Sequence, residues 1–160
     1  MSTIKFESND LIAVVEGLVQ HGDRRGRELG FPTANVHGPD SVRLDGVYAG
    51  LLQVEPADGG PSYVAAVSVG HRPTFYGRRA MRLLEAHLLD FADDLYGRSV
   101  RIELYSRLRP QRKYVDELTL VRQLDLDVEA TRTWASATGL DHLVGGPRHG
   151  SRLATAMRSV

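Results

Sequence analysis

Residues 99–108 read SVRIELYSRL, and this alternation constrains the chain more than any other feature. Val100, Ile102 and Leu104 fall on one face; Arg101, Glu103 and Tyr105 fall on the other. A period of two over ten residues describes a half-buried β-strand, not a helix. Residues 11–17 (LIAVVEG), 47–54 (VYAGLLQV) and 63–69 (YVAAVSV) are further short apolar runs rich in β-branched side chains. Gly and Pro clusters such as EPADGGPS separate them. Residues 83–89 (LLEAHLL) suit a strand or a short helix, and periodicity does not choose between them.

After residue 115 the character changes. Asp116 is a helix cap placed before Glu117, and Leu118, Val121, Leu124, Val128 and Ala135 recur at helical spacings. Trp134 adds bulk near the end and Gly139 supplies the stop. Five or more short strands ahead of one long helix favour an antiparallel barrel or sandwich, with the helix across an open end or one side. The 160 residues, 42% hydrophobic and 25% charged, suit one domain. We place it at residues 11–138, between an amino-terminal tail (1–10) and a carboxy-terminal tail (139–160). The latter contains GGPRHGSR. A short helical turn after Gly150 is expected there, and its arginines leave a partner contact as an alternative.

Charge and composition narrow the function. Lys+Arg and Asp+Glu are 20 each, so no broad basic surface for nucleic acid or anionic membrane is expected. There is no cysteine, which excludes disulfides, thiol catalysis and cysteine metal sites. No apolar run approaches the roughly eighteen residues of a membrane span, and the start MSTIKFESND lacks a secretory core. A cytoplasmic monomer is the expectation.

The stretch GRELGFPTANV (26–36) concentrates unusual residues. Gly17, Gly22, Gly26 and Gly30, interleaved with Arg24, Arg25 and Arg27, allow backbone amides to approach a phosphate. No Gly-Lys-Ser/Thr follows, so this is no P-loop, and no βαβ unit frames a dinucleotide fingerprint. A Gly-rich hairpin with solvated arginines fits the spacing at least as well. In Pro32-Thr33-Ala34-Asn35, Thr33 and Asn35 point the same way in an extended chain, and their oxygens suit magnesium. A polar turn is the plainer alternative. Glu85 is a carboxylate inside an apolar run, on one strand face with His87. It suits a general base or a solvated edge strand equally. SVGHRPTFYG (68–77) is a shaped loop able to close over a ligand, or an ordinary connection. The six histidines show no zinc spacing, and Asp90, Asp93 and Asp94 suit a solvated turn better than a metal site.

Taken in order, Gly17, GRELGFPTAN, Gly46-Val47-Tyr48, SVGHRPTF, LEAHLLDF, DLYG and LRPQRKY, followed by Leu118 and Asp127 on the terminal helix, resemble the riboflavin kinase (flavokinase) family from about Val14 to Trp134. The resemblance implies a mainly β fold: a six-stranded antiparallel Greek-key barrel with a carboxy-terminal helix packed against it. It implies transfer of the ATP γ-phosphate to the ribityl 5′-hydroxyl of riboflavin, giving FMN and ADP. It further implies Mg²⁺ or another divalent cation on Thr33 and Asn35, Glu85 as base, and a nucleotide loop over Gly22, Arg25, Gly26, Arg27, Gly30 and Pro32. A second loop, around Gly70–Gly77, and the Arg-Pro stretch Arg109–Tyr114 leading into the helix border the two substrates.

Bacterial members usually carry an adenylyltransferase module before this one. With about ten residues ahead of Leu11, a stand-alone kinase domain that does not make FAD unaided is expected. Ala86 replaces a frequent threonine, Ser68 a usual asparagine and Tyr114 a common phenylalanine, which leaves room for a changed acceptor or donor. A non-catalytic flavin- or nucleotide-sensing module, and a kinase for a flavin analogue or other small hydroxyl compound, are the alternatives.

Overall fold

The structure is a computed structural model; it describes residues 10–22, 24–39, 44–72 and 81–146. Among these residues six strands form: β1 (Ala13–Leu18), β2 (Ala34–Gly38), β3 (Gly46–Val54), β4 (Ser62–Arg72), β5 (Met81–Leu88) and β6 (Ser99–Arg109). The single helical turn α1 (Arg25–Glu28) lies between β1 and β2, and the long helix α2 (Glu117–Ala137) follows β6.

The alternation of β6 becomes burial: Val100, Ile102 and Leu104 are fully enclosed. LLEAHLL resolves as strand β5 because it is hydrogen-bonded on both sides, to β4 and to β2. Strand β2 went unread in the sequence. Its five residues, ANVHG, offer one strong strand former, and its extended form comes from the ladder with β5, from Ala34↔Ala86 to Gly38↔Arg82. Residues 25–28 form a helical turn rather than part of a hairpin.

The strands run antiparallel in the order β1-β6-β3-β4-β5-β2. Strands β3, β4 and β5 form a meander, and β6 returns to lie beside β3, which is the Greek-key connection. The edge strands then meet. Gln20, just beyond β1, donates its amide to the Asn35 carbonyl at 2.8 Å and brings the sheet round into a nearly closed barrel. Closure removes most of the exposed strand edge.

Two apolar clusters hold the barrel. The interior one contains Val15, Val36, Tyr48, Leu52, Val67, Leu84 and Ile102. The other joins the outer face to α2: Trp134 and Ala135 pack on Ala49, Val64, Ala66 and Leu89. The helix therefore covers one side, not an open end. Asp116 caps it by accepting from the Thr119 amide at 2.8 Å. The expected stripe was only partly right. Leu118 is 60% exposed, while the residues α2 buries are Asp127, Thr131, Trp134 and Ala135. Beyond Gly139, Leu140, Leu143 and Val144 fold back onto the outer cluster. The turn expected after Gly150, and residues 73–80 of the SVGHRPTFYG loop, lie outside the described residues.

Candidate active site

Antiparallel pairing aligns one row of residues across the sheet. Arg109 pairs with Val47, Val47 with Ser68, Ser68 with Glu85, and Glu85 with Asn35; Asn35 bridges to Gln20. Every member lines a cavity of about 560 Å³, within the range of small-molecule sites. Period-two alternation puts Val47, Ser68 and Glu85 on the outer face, the one on which Ala49, Ala66 and Leu89 meet α2. The cavity is thus a cleft against the barrel wall. Residues 19–22, 24–27, 29 and 31–35, the turn 91–96, residues 109, 111, 112 and 114, and Leu120, Leu124, Asp127 and Val128 of α2 complete it.

Directly opposite residues of an antiparallel pair project their side chains to one side, with Cβ atoms ~5 Å apart. Glu85 and Asn35 stand in that relation. Thr33, two residues before Asn35, donates its hydroxyl to Asn35 Oδ1 at 2.9 Å. Two oxygens of hard-donor type are therefore held together beside a carboxylate. Asn35 is 5% exposed, and Gly22 makes that placement possible: a Cβ at Gly22 would lie 1.9 Å from Asn35 Nδ2. Gly26 is equally constrained, since its Cβ would lie 2.5 Å from the Phe31 carbonyl oxygen, and Gly26 O accepts from the Phe31 amide at 2.7 Å. These approaches fold the arginine-bearing segment back over the cleft, where Arg24, Arg25 and Arg27 line its wall. His87, also on the outer face of β5, has Nδ1 2.8 Å from the Pro32 carbonyl oxygen and so ties this segment to the strand.

The opposite wall is braced by a buried ion pair. Arg109 donates through Nε and an Nη to the two carboxylate oxygens of Asp127, both at 2.7 Å. Burial pulls the Arg109 pKa down, but the Asp127 hydrogen bonds and charge outweigh it and leave it raised. Gln123 adds a donor to Asp127 at 3.0 Å. Tyr114 places its ring 5.9 Å from the guanidinium carbon, and its hydroxyl is buried without a hydrogen-bond partner among the described residues. Leu120, Leu124 and Val128 turn an apolar face of α2 to the cavity.

Of the residues singled out in the sequence, Gly22, Arg25, Gly26, Arg27, Pro32, Thr33, Asn35, Glu85, Arg109 and Tyr114 all line the one cavity. Gly30, at φ 87°, and Gly70, within β4, do not line it. Gln111 lies within the stretch 109–114 that the resemblance brought forward, whereas sequence reading missed Gln20 and the pair His21–Tyr96, whose rings stack at 3.5 Å in the cavity wall. A pair 75 positions apart leaves no local signal. Asp90 pairs with Arg132 at 2.8 Å, and Asp94 accepts from the Tyr96 amide at 2.9 Å, closing the turn after β5.

The family model for riboflavin kinase matches residues 12–135. The chain belongs to the riboflavin kinase family. A bifunctional riboflavin kinase/FMN adenylyltransferase of Bacillus subtilis is 40% identical over 116 residues, 71% of this chain and 35% of that protein. A riboflavin kinase from Trypanosoma brucei superposes with a TM-score of 0.54 at 26% identity, covering 82% of this chain and 84% of that one. A Streptococcus pneumoniae structure described as a macrolide-efflux protein gives a TM-score of 0.63 at 36% identity, covering 76% and 38%. The chain spans well under half the length of the curated relatives it matches. No helix among the described residues is long and apolar enough to cross a membrane.

Riboflavin kinases act on ATP, and a divalent cation is the usual companion of its phosphates. Among the described residues no three His, Asp or Glu side chains gather as a self-sufficient metal site. The Thr33–Asn35 oxygens fit a hard cation that keeps phosphate and water as its remaining ligands.

Proposed function

We propose that this chain transfers the γ-phosphoryl group of ATP to the ribityl 5′-hydroxyl of riboflavin, giving FMN and ADP, as a soluble cytoplasmic monomer. The observation that carries the reading is the register Asn35↔Glu85, with Thr33 bonded to Asn35. A carboxylate beside two hard oxygen donors, in a cleft of about 560 Å³, supports reading Glu85 as a base next to a phosphate- and metal-binding pair.

Phosphoryl transfer asks mainly for positioning and charge neutralisation. Thr33 Oγ1 and Asn35 Oδ1 would hold Mg²⁺, which when bound offsets charge on the ATP phosphates. Arg25 and Arg27 add positive charge from the overlying segment. Leu120 and Leu124 offer a flat apolar wall for the flavin ring, which directs the ribityl chain toward Glu85. Glu85 accepts the proton of the 5′-hydroxyl. The alcohol oxygen forms its bond to the γ-phosphorus as the bond to the ADP oxygen breaks. General-base help of this kind is typically worth about 10²–10⁴ in rate.

Incubation of the protein with riboflavin and MgATP, followed by chromatography, should yield FMN. Glu85→Gln should lower kcat by about 10²-fold or more while flavin binding persists. Tight flavin binding with no FMN formed by the unaltered protein would instead mark a sensing module. Turnover of an analogue but not of riboflavin would reassign the acceptor.

A further inference from the structure

Thr33 stands one residue outside the ladder that holds Asn35, because β2 pairs with β5 only from Ala34↔Ala86 onward. Side chains hold the residues just before that ladder. The Thr33 hydroxyl donates forward to Asn35 Oδ1, and the Pro32 carbonyl oxygen lies 2.8 Å from His87 Nδ1. A main-chain carbonyl only accepts, so Nδ1 carries a proton and is the donor. The His87 ring also meets the edge of the Phe31 ring, with centroids 5.5 Å apart. His87 lies on β5, two residues beyond Glu85 and on the same face. Strand β5 is hydrogen-bonded on both sides, to β4 and to β2, so His87 ties Phe31 and Pro32 to a firmly held element.

We propose that His87 is a positioning residue for the nucleotide half of this reaction: by donating to the Pro32 carbonyl it sets the backbone of Pro32-Thr33, and with it the placement of the Thr33 hydroxyl in the cation-holding pair. The proposal rests on Thr33 and Asn35 being that pair. Without the His87 bond, Thr33 is held from the Asn35 side alone. Ordering the segment must then be done by the ligand, at the expense of affinity for the magnesium-bound nucleotide. The α2 wall of Leu120 and Leu124, offered to the flavin, does not depend on this bond.

The test compares His87→Phe, which keeps a ring beside Phe31 but has no donor, with His87→Asn. The asparagine Nδ2 stands as many bonds from Cβ as the histidine Nδ1 and can donate to the same carbonyl. Calorimetric titration with ADP, in Mg²⁺ and in EDTA, reads binding apart from turnover. Mg²⁺ should tighten ADP binding by the unaltered protein. In His87→Phe that tightening should shrink about fivefold, the worth of one net hydrogen bond. KM for MgATP should rise by a similar factor, with KM for riboflavin within about twofold. His87→Asn should restore most of both. A His87→Phe protein that binds MgADP as the parent does overturns the inference. So does an asparagine variant as impaired as the phenylalanine one, since the imidazole ring and not its donor would then matter. Equal rises in KM for both substrates overturn it too, because they mark a general loosening of the cleft. An unaltered protein that forms FMN yet binds ADP equally in Mg²⁺ and in EDTA removes the reading of Thr33 and Asn35 as the cation-holding pair, and this inference falls with it.

Discussion

At Gly22 the backbone passes so near Asn35 that any side chain would displace the amide. Gly22→Ala should therefore act on the site and not on the fold: turnover with MgATP falls, by about 10²-fold if Asn35 moves ~1 Å, while the circular dichroism spectrum and Tm stay close to those of the parent. Tyr114 makes the opposite case. Among the described residues its buried hydroxyl lacks a partner, and such a group costs ~1–3 kcal/mol. Tyr114→Phe should raise stability, by about 1 kcal/mol or ~3 °C in a thermal melt, and a lower Tm would show that the hydroxyl has found a partner. Both residues stand out in the sequence, Gly22 in a Gly-Arg stretch and Tyr114 in LRPQRKY. What each touches is not written there, because Asn35 and Arg109 reach them through the fold.

The element that most needs its partner is α2. Its buried stripe contains Asp127 and Thr131, polar residues that no hydrophobic periodicity selects. Arg109 satisfies Asp127, and Thr131 donates to the Asp127 carbonyl at 2.8 Å. The sequence pattern placed Leu118 in the stripe instead, although it faces solvent. Helix-period apolar residues on this helix divide between two tasks, since Leu124 and Val128 line the cavity while Trp134 and Ala135 pack on the barrel. Asp127→Ala leaves Arg109 buried and unpaired and should cost about 3–5 kcal/mol in urea unfolding. Asp127→Asn keeps an acceptor and should cost less. Equal midpoints for Asp127→Ala and the parent would show that the pair contributes nothing to docking α2.

Over the whole molecule Tyr105, which stacks on Trp134 at 5.7 Å and donates to Glu103, should contribute to the pH dependence of stability at its alkaline end, alongside the buried Tyr48, whose pKa burial also raises. Burial, then the hydrogen bond and charge of Glu103, pushes the Tyr105 pKa from 10.0 to about 12. A group raised on folding contributes stability that is complete below the unfolded value and disappears as pH climbs through the folded one. Tm should thus fall between about pH 10 and 12, and Tyr105→Phe should flatten that fall. Asp90 works with the other sign: the Arg132 hydrogen bond lowers its pKa, so its contribution is present above the unfolded value and is lost as pH falls through the folded one. Much of the architecture is local in origin. The alternation in β6, the apolar runs of β1, β3 and β4, and the Asp116 cap each follow from side-chain period and hydrogen-bonding capacity within one segment. It was the resemblance to riboflavin kinases, carried by several motifs in order, that brought Thr33, Asn35 and Glu85 forward as a set; their local chemistry alone left plainer readings open. Strand β2, the strand identity of LLEAHLL and the row from Arg109 to Gln20 were settled by tertiary pairing, because a ladder is a relation between segments. The cleft arises the same way. Which wall faces the base depends on barrel closure and on the side to which α2 is pinned, and both rest on contacts between residues far apart in the chain.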